Sequence, residues 1–175
     1  CRSFVPTHSA RLDRICPFCL TFRAFHAKSE RALSFAMPAI DQCEEQVVRA
    51  LEKSGWLVTH QPFAIRINKS RAGYVYADLR LRQKTDNQTI IVVEVKCFAS
   101  TRTQLDEFYQ AVGQYVSYRN ALTINGMQLP VYLSVPSSVY TTFFQIPLIA
   151  AVVADTQIKL VVIDLEKEEI TQWMS

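Results

Sequence analysis

The chain has 175 residues, with 19 Lys and Arg against 16 Asp and Glu, a formal charge of +3, and 49% hydrophobic residues. That balance excludes a disordered polyelectrolyte and a strongly basic nucleic-acid-coating protein. The charge is uneven: residues 1–36 hold six basic and two acidic groups, and residues 37–175 hold 13 and 14.

Residues 1–36 come first in the chain and differ in kind from the rest. They contain Cys1, Cys16 and Cys19 of the five cysteines, together with His8 and His26, and no glycine. Cys16-Pro-Phe-Cys19 with His8 and His26 fits no common zinc finger spacing. The composition overlaps that of a transit peptide. The segment reads as an upstream disordered extension or a misplaced start, since Met37 stands where the composition changes. The following residues are long enough for one domain with its own core. They contain no apolar run of membrane-spanning length, only one histidine, His60, and no glycine-rich phosphate loop. A serine–histidine triad and the usual nucleotide-binding folds are thereby disfavoured. A cytoplasmic protein without membrane contact is expected.

Asp41, with Glu44 three residues on, opens a predicted helix whose apolar stripe is Val47, Val48 and Leu51, and Gly55 is its stop. Trp56–His60 and Phe63–Ile67 read as extended, and Tyr74–Leu81 as one strand. A polar turn at 83–88 leads to Thr89–Phe98, where Ile90-Ile91-Val92-Val93 predicts a central strand covered on both faces. Thr103 is the expected cap of a helix running to about Asn120, with Leu105, Phe108, Tyr109, Val112 and Val116 as its core face. Val131–Val135 is a strand, Pro136–Phe144 and Pro147–Ala154 are short helices, and Lys159–Asp164 and Ile170–Met174 are strands. The order predicts an α/β fold, a mixed central β-sheet flanked by helices. Cys43 and Cys97 are expected as buried, reduced thiols, and Trp56 and Trp173 as core.

Three charges interrupt this apolar pattern. Asp78 lies in Tyr74-Val75-Tyr76-Ala77-Asp78-Leu79, and Glu94 and Lys96 end the central strand. Side chains at i and i+2 share a strand face, and antiparallel pairing across the short turn brings Asp78 beside them. Burying three charges costs several kcal/mol unless they pair or bind an ion. Asp78 and Glu94, with the carbonyl of Val95, offer oxygen ligands to Mg²⁺ or Mn²⁺, and Lys96 can orient a water. The competing reading is a structural ion pair, or a solvated Glu–Lys face. The basic residues Arg66, Lys69, Arg71, Arg80, Arg82 and Lys84 surround Asp78 in sequence and suggest a local DNA-backbone patch, or else a solvated hairpin.

The Asp…Glu-x-Lys pattern resembles the PD-(D/E)XK nuclease superfamily, which implies a restriction-endonuclease-like fold. Gln110, Gln114 and Tyr118 follow at helical spacing, and Gln114 with Tyr118 looks like an accessory motif of that superfamily's exonuclease-like branch. Glu44 or Glu45 corresponds to a helix-borne Glu that reaches the metal in several members. Met37-Pro38-Ala39, Gly55-Trp56, Val93-Glu94-Val95-Lys96-Cys97-Phe98, Ala111-Val112-Gly113-Gln114-Tyr115, Tyr132-Leu133 and Glu168-Glu169-Ile170-Thr171-Gln172-Trp173 are similar, in order, to the XisH family. Departures are Arg80-Leu81-Arg82, a shorter turn before Glu94, and Cys97 where Ser is common. The resemblance covers residues 37–175. It implies an endonuclease-like XisH domain there, with a role in excision of the cyanobacterial fdxN element during heterocyst differentiation. It implies action with a site-specific recombinase and an XisI-like companion. A homo-oligomer is compatible with these features. The rival expectation is a non-catalytic regulatory or scaffolding module that binds such a partner or DNA. An enzyme acting on RNA is a third.

Overall fold

The computed structural model describes residues 43–68, 73–86, 88–99 and 101–175. The expectations for residues 1–36 and Met37, and the capping role of Asp41, fall outside them. A six-stranded sheet runs in the order β1–β4–β5–β6–β7–β8, where β1 is Trp56–His60, β4 Leu79–Gln83, β5 Ile90–Val95, β6 Val131–Pro136, β7 Lys159–Asp164 and β8 Glu169–Met174. The three central strands β5, β6 and β7 are parallel, and the outer pairings are antiparallel. A separate two-stranded sheet pairs β2, Phe63–Arg66, with β3, Tyr74–Ala77.

Helices cover both faces of the large sheet. On one face α1, Glu44–Lys53, buries Val47, Ala50 and Leu51 against Leu79, Leu81, Ile91, Val93 and Val95. On the other lie α2, Gln104–Ile124, and the short α3, Ser137–Tyr140, and α4, Pro147–Thr156. The helices α2 and α3–α4 are the crossovers that parallel neighbours require. The strand β5, apolar on both faces, is buried from Ile91 to Val95, as its continuous run predicts. Gly55 ends α1 with φ +91°, a conformation open to glycine at no steric cost.

Four readings of the sequence are corrected. The predicted single strand Tyr74–Leu81 is two strands in two sheets, broken at Asp78, because the Asp78 carboxylate leaves its own ladder to take the N–H of Val95. The long helix continues past Asn120 to Ile124, since Ala121 and Leu122 prolong its buried stripe. Its core face is also rotated: Phe108, Ala111, Tyr115, Tyr118, Ala121 and Leu122 are buried, while Leu105 and Tyr109 face solvent and Val112 and Val116 are half-buried. Small alanines let the helix approach the sheet, and counting only large apolar residues misplaces that face. Finally, Cys43 and Cys97 are joined in a disulfide. A pairing between residues 54 apart in sequence depends on tertiary proximity that a sequence pattern does not contain.

Trp56 and Trp173 pack on each other at 5.9 Å between ring centres, and Tyr132 meets Trp173 edge-on at 4.9 Å. Neither tryptophan is fully buried: Trp56 packs against the α1-side core, while Trp173 is exposed where core packing was expected. Among the described residues no single helix is long and apolar enough to cross a membrane.

Leu133 lies on β6 at the middle of the sheet with no exposed surface, whereas Leu148 on α4 is 61% exposed. Leu133→Ala is expected to lower unfolding free energy by about 3 kcal/mol, through lost burial and a residual cavity. Leu148→Ser should change it by less than about 0.5 kcal/mol. Urea denaturation of both variants checks the contrast.

Candidate metal and phosphate site

The register of β4 on β5 pairs Leu79 with Val93, which sets Asp78 against Glu94 just beyond it. Asp78 Oδ2 accepts a hydrogen bond from Val95 N at 2.7 Å. Lys96 Nζ stands 3.1 Å from Glu94 Oε1. The three residues that broke the apolar pattern therefore meet at the end of β5.

Glu94 has 1% of its surface exposed. Lys96 pairs with it by charge, and neither Glu94 oxygen accepts a well-formed hydrogen bond. A buried carboxylate without such partners is costly in its charged form. Burial, and then the adjacent Asp78 charge, push Glu94 up to about 8, against which Lys96 acts. Burial also raises Asp78, opposed by the Val95 hydrogen bond and Lys96. The two carboxylates form a coupled pair that holds a proton near neutrality unless a cation replaces it.

Of the two candidate helix acids, Glu44 is buried and its charge acts on Asp78, while Glu45 is exposed and pairs with Arg49 at 3.5 Å. Gln61 Nε2 donates to Glu44 Oε1 at 2.7 Å. Gln61 carries no motif, and its role follows only from the turn between β1 and β2. On α2, Tyr118 is buried and donates its one proton to the carbonyl of Tyr76 at 2.7 Å. Burial, then the charges of Glu94 and Asp78, push its phenol upward, against which Gln114 acts. Gln114 Oε1 is buried without a hydrogen bond. Gln110, the third residue of the predicted stripe, is exposed.

The predicted basic patch is only partly assembled. Arg66 lies over the Tyr74 ring at 6.0 Å, and Arg80 lies over Phe63 at 5.6 Å. Arg80 also donates to Thr59 Oγ1 at 3.1 Å, and Lys84 donates to the Glu52 carbonyl at 3.2 Å. Arg82 Nε is buried without a hydrogen bond. Lys69 and Arg71 lie outside the described residues. A concavity of about 660 Å³ between α4, β7 and β8 is lined by Tyr140, Phe144, Val153 and Met174 among others, and by none of Asp78, Glu94 or Lys96.

The Glu94 carboxylate, both oxygens short of hydrogen bonds, with Asp78 beside it, suits a hard divalent cation that keeps several waters. Among the described residues no three His, Cys, Asp or Glu side chains stand together so as to hold a metal. The donor set thus fits an ion held by one or two carboxylates, in the manner of Mg²⁺, and not a closed protein cage.

An unfolded glutamate titrates near its ordinary 4.5, so between pH 4.5 and 8 the unfolded chain has released a proton that folded Glu94 keeps. Stability of the metal-free protein therefore falls as pH rises through that window. Glu94→Gln is expected to remove most of this loss, being more stable than the parent by about 2–4 kcal/mol at pH 8.5 and by little at pH 5. Urea unfolding in EDTA at the two pH values measures it, and a gain equal at both contradicts it.

Residues 37–171 match the family model described as XisH protein. The crystal structure of an XisH family protein from Nostoc punctiforme PCC 73102 is 34% identical, with a TM-score of 0.65, and the match covers 75% of this chain and 97% of that one. The crystal structure of a fdxN element excision controlling factor protein from Anabaena variabilis is also 34% identical at a TM-score of 0.65, covering 75% of this chain and 96% of that one. A search of curated proteins found no match.

Proposed function

The chain belongs to the XisH family, and we propose that it is a metal-dependent DNA phosphodiesterase of restriction-endonuclease-like design, acting in programmed excision of a DNA element such as the fdxN element. The observation that carries the reading is the convergence of Asp78, Glu94 and Lys96, with both Glu94 oxygens buried and short of hydrogen bonds. Asp78 and Glu94 would hold Mg²⁺ or Mn²⁺, with the Val95 carbonyl as a further oxygen ligand. When bound, the ion lowers the pKa of a coordinated water and stabilises charge that builds on the phosphate.

The protein's own part is positional. The Val95 N–H fixes one Asp78 oxygen, which leaves the other available for the site. Lys96, anchored through its backbone N–H to the Ser134 carbonyl at 3.2 Å, supplies a cation that orients the attacking water. Gln114 is the accessory residue, and Tyr118, which acts on Glu94, bonds the β2–β3 hairpin. Glu44, held by Gln61, adds negative charge behind Asp78 and favours a cation at the site. Arg66, Arg80 and Arg82 supply local phosphate contacts on a domain that is otherwise near neutral.

The second reading is a module that binds a companion protein, XisI-like, or a recombinase, without turnover. It is favoured by the lack, among the described residues, of a third acidic side chain close enough to share the ion. The two part on one assay. The full chain is incubated with plasmid, linear and branched DNA in Mg²⁺ or Mn²⁺, beside Asp78→Asn and Lys96→Ala, with RNA as a parallel substrate. Cleavage is expected to fall by about 100-fold or more in both variants. Cleavage that survives both substitutions sinks the catalytic assignment, and its absence in the parent supports the module.

Metal uptake must displace the shared carboxylate proton. Mn²⁺ affinity of the parent is therefore expected to rise by about tenfold per pH unit from pH 6 to pH 7.5 and to level off above about 8. Calorimetric titration checks it, and a flat profile argues that no proton leaves on binding.

A further inference from the structure

We propose that the Cys43–Cys97 disulfide is a redox-sensitive clamp on this site, fixing its cation-binding geometry when closed and loosening it when opened. The inference rests on the reading of Asp78, Glu94 and Lys96 as a cation site. Each half of the bond is the chain neighbour of a site residue: Cys43 precedes Glu44, and Cys97 follows Lys96. Their Cα atoms are 5.7 Å apart, so the bond ties the first turn of α1 to the exit of β5.

Beyond the contacts already described, regular structure at both tied ends is sparse. The helix α1 starts with no side-chain cap. The ladder of β5 ends at Val95, and residues 96–99 have no regular structure. Phe98 in that segment takes φ +49°, a strained choice for a non-glycine residue, and its ring is buried against Phe143 and Phe144. The Cys43 N–H also donates to Cys97 Sγ at 2.9 Å. Opening the bond releases the start of the helix that carries Glu44 and one anchor of the loop that begins at Lys96.

Cys43 is buried and Cys97 half-buried, so a reductant would approach the bond from the Cys97 side. A dithiol is the fitting class of reductant. Its thiolate attacks one sulfur, the Cys43–Cys97 bond breaks, and a mixed disulfide forms. The second thiolate of the dithiol then displaces the remaining cysteine. Cys43 and Cys97 leave as two thiols, having gained two electrons and two protons, and the dithiol becomes a disulfide. A disulfide oxidant of the same class reverses the exchange. In a reducing compartment such a bond is a sensing element more often than a structural one.

The test uses the full chain with Cys1, Cys16 and Cys19 replaced by Ser, which leaves only the described pair of the five cysteines. Mn²⁺ affinity is titrated on the oxidised protein, on the same protein reduced with a dithiol and freed of it anaerobically, and after reoxidation. Free thiols are counted in each form. Cys43→Ser with Cys97→Ser gives a permanently open form, and circular dichroism and thermal melting report whether each form is folded. Affinity is expected to fall by about tenfold when the bond opens and to return on reoxidation, with a cooperative melt in every form. Equal affinity in closed and open forms that both bind Mn²⁺ overturns the clamp and leaves the metal site standing. Absence of Mn²⁺ binding in every form overturns the metal site and the clamp with it. Open forms that fail to fold also overturn it, since the bond then supports the domain and not the site.

Discussion

The hydrogen bond from Val95 N–H to Asp78 is the contact on which the rest depends. It replaces a backbone ladder bond by a side-chain one at the point where the chain leaves the small hairpin sheet and joins the large one. A backbone donor buried beside β5 needs a partner, and Asp78 supplies it. The same act fixes the carboxylate next to Glu94. The break between β3 and β4, the register of β4 on β5, and the juxtaposition of two acids are thus one event seen at three scales.

The core is arranged around that event. Leu79, Leu81, Val93 and Val95 point to the α1 face, so Asp78, Arg80, Val92 and Glu94 fall on the α2 face by alternation. That places a carboxylate inside the apolar layer formed with Phe108, Tyr115 and Tyr118. An ion pair with Lys96 alone does not offset the desolvation of two acids, which is why both carboxylates are held above their ordinary values. The divalent cation proposed above would resolve the conflict that the apolar sequence creates, because the same unpaired carboxylate charge that costs stability would attract it.

Much of the fold is legible in the sequence, for reasons that can be named. The run Ile90–Val93, the alternation at Phe63–Ile65 and the Pro at the start of α4 are local signals, and they mark real elements. Asp78, Glu94 and Lys96 are legible because charge is anomalous in a buried strand. The break at Asp78 is not, since Tyr74–Leu81 alternates without interruption and only the tertiary demand of Val95 stops it. The exposed positions of Leu105 and Tyr109 are hidden because apolar residues occupy both faces of α2. The choice of Glu44 over Glu45 depends on helix phase, which the start of α1 sets and which two adjacent acids cannot reveal. The Cys43–Cys97 bond is not legible, since it joins residues 54 apart that only the tertiary fold brings together.

The β2–β3 hairpin is outside the main sheet yet ends directly in Asp78. It is fastened to α2 by the bonds from Tyr118 to the Tyr76 carbonyl and from Asn125 to the Arg66 carbonyl at 2.7 Å. The hairpin is in mechanical terms a lever whose short arm is one residue long. The bonds that seat the hairpin on the long helix therefore also limit how far the Asp78 carboxylate can move.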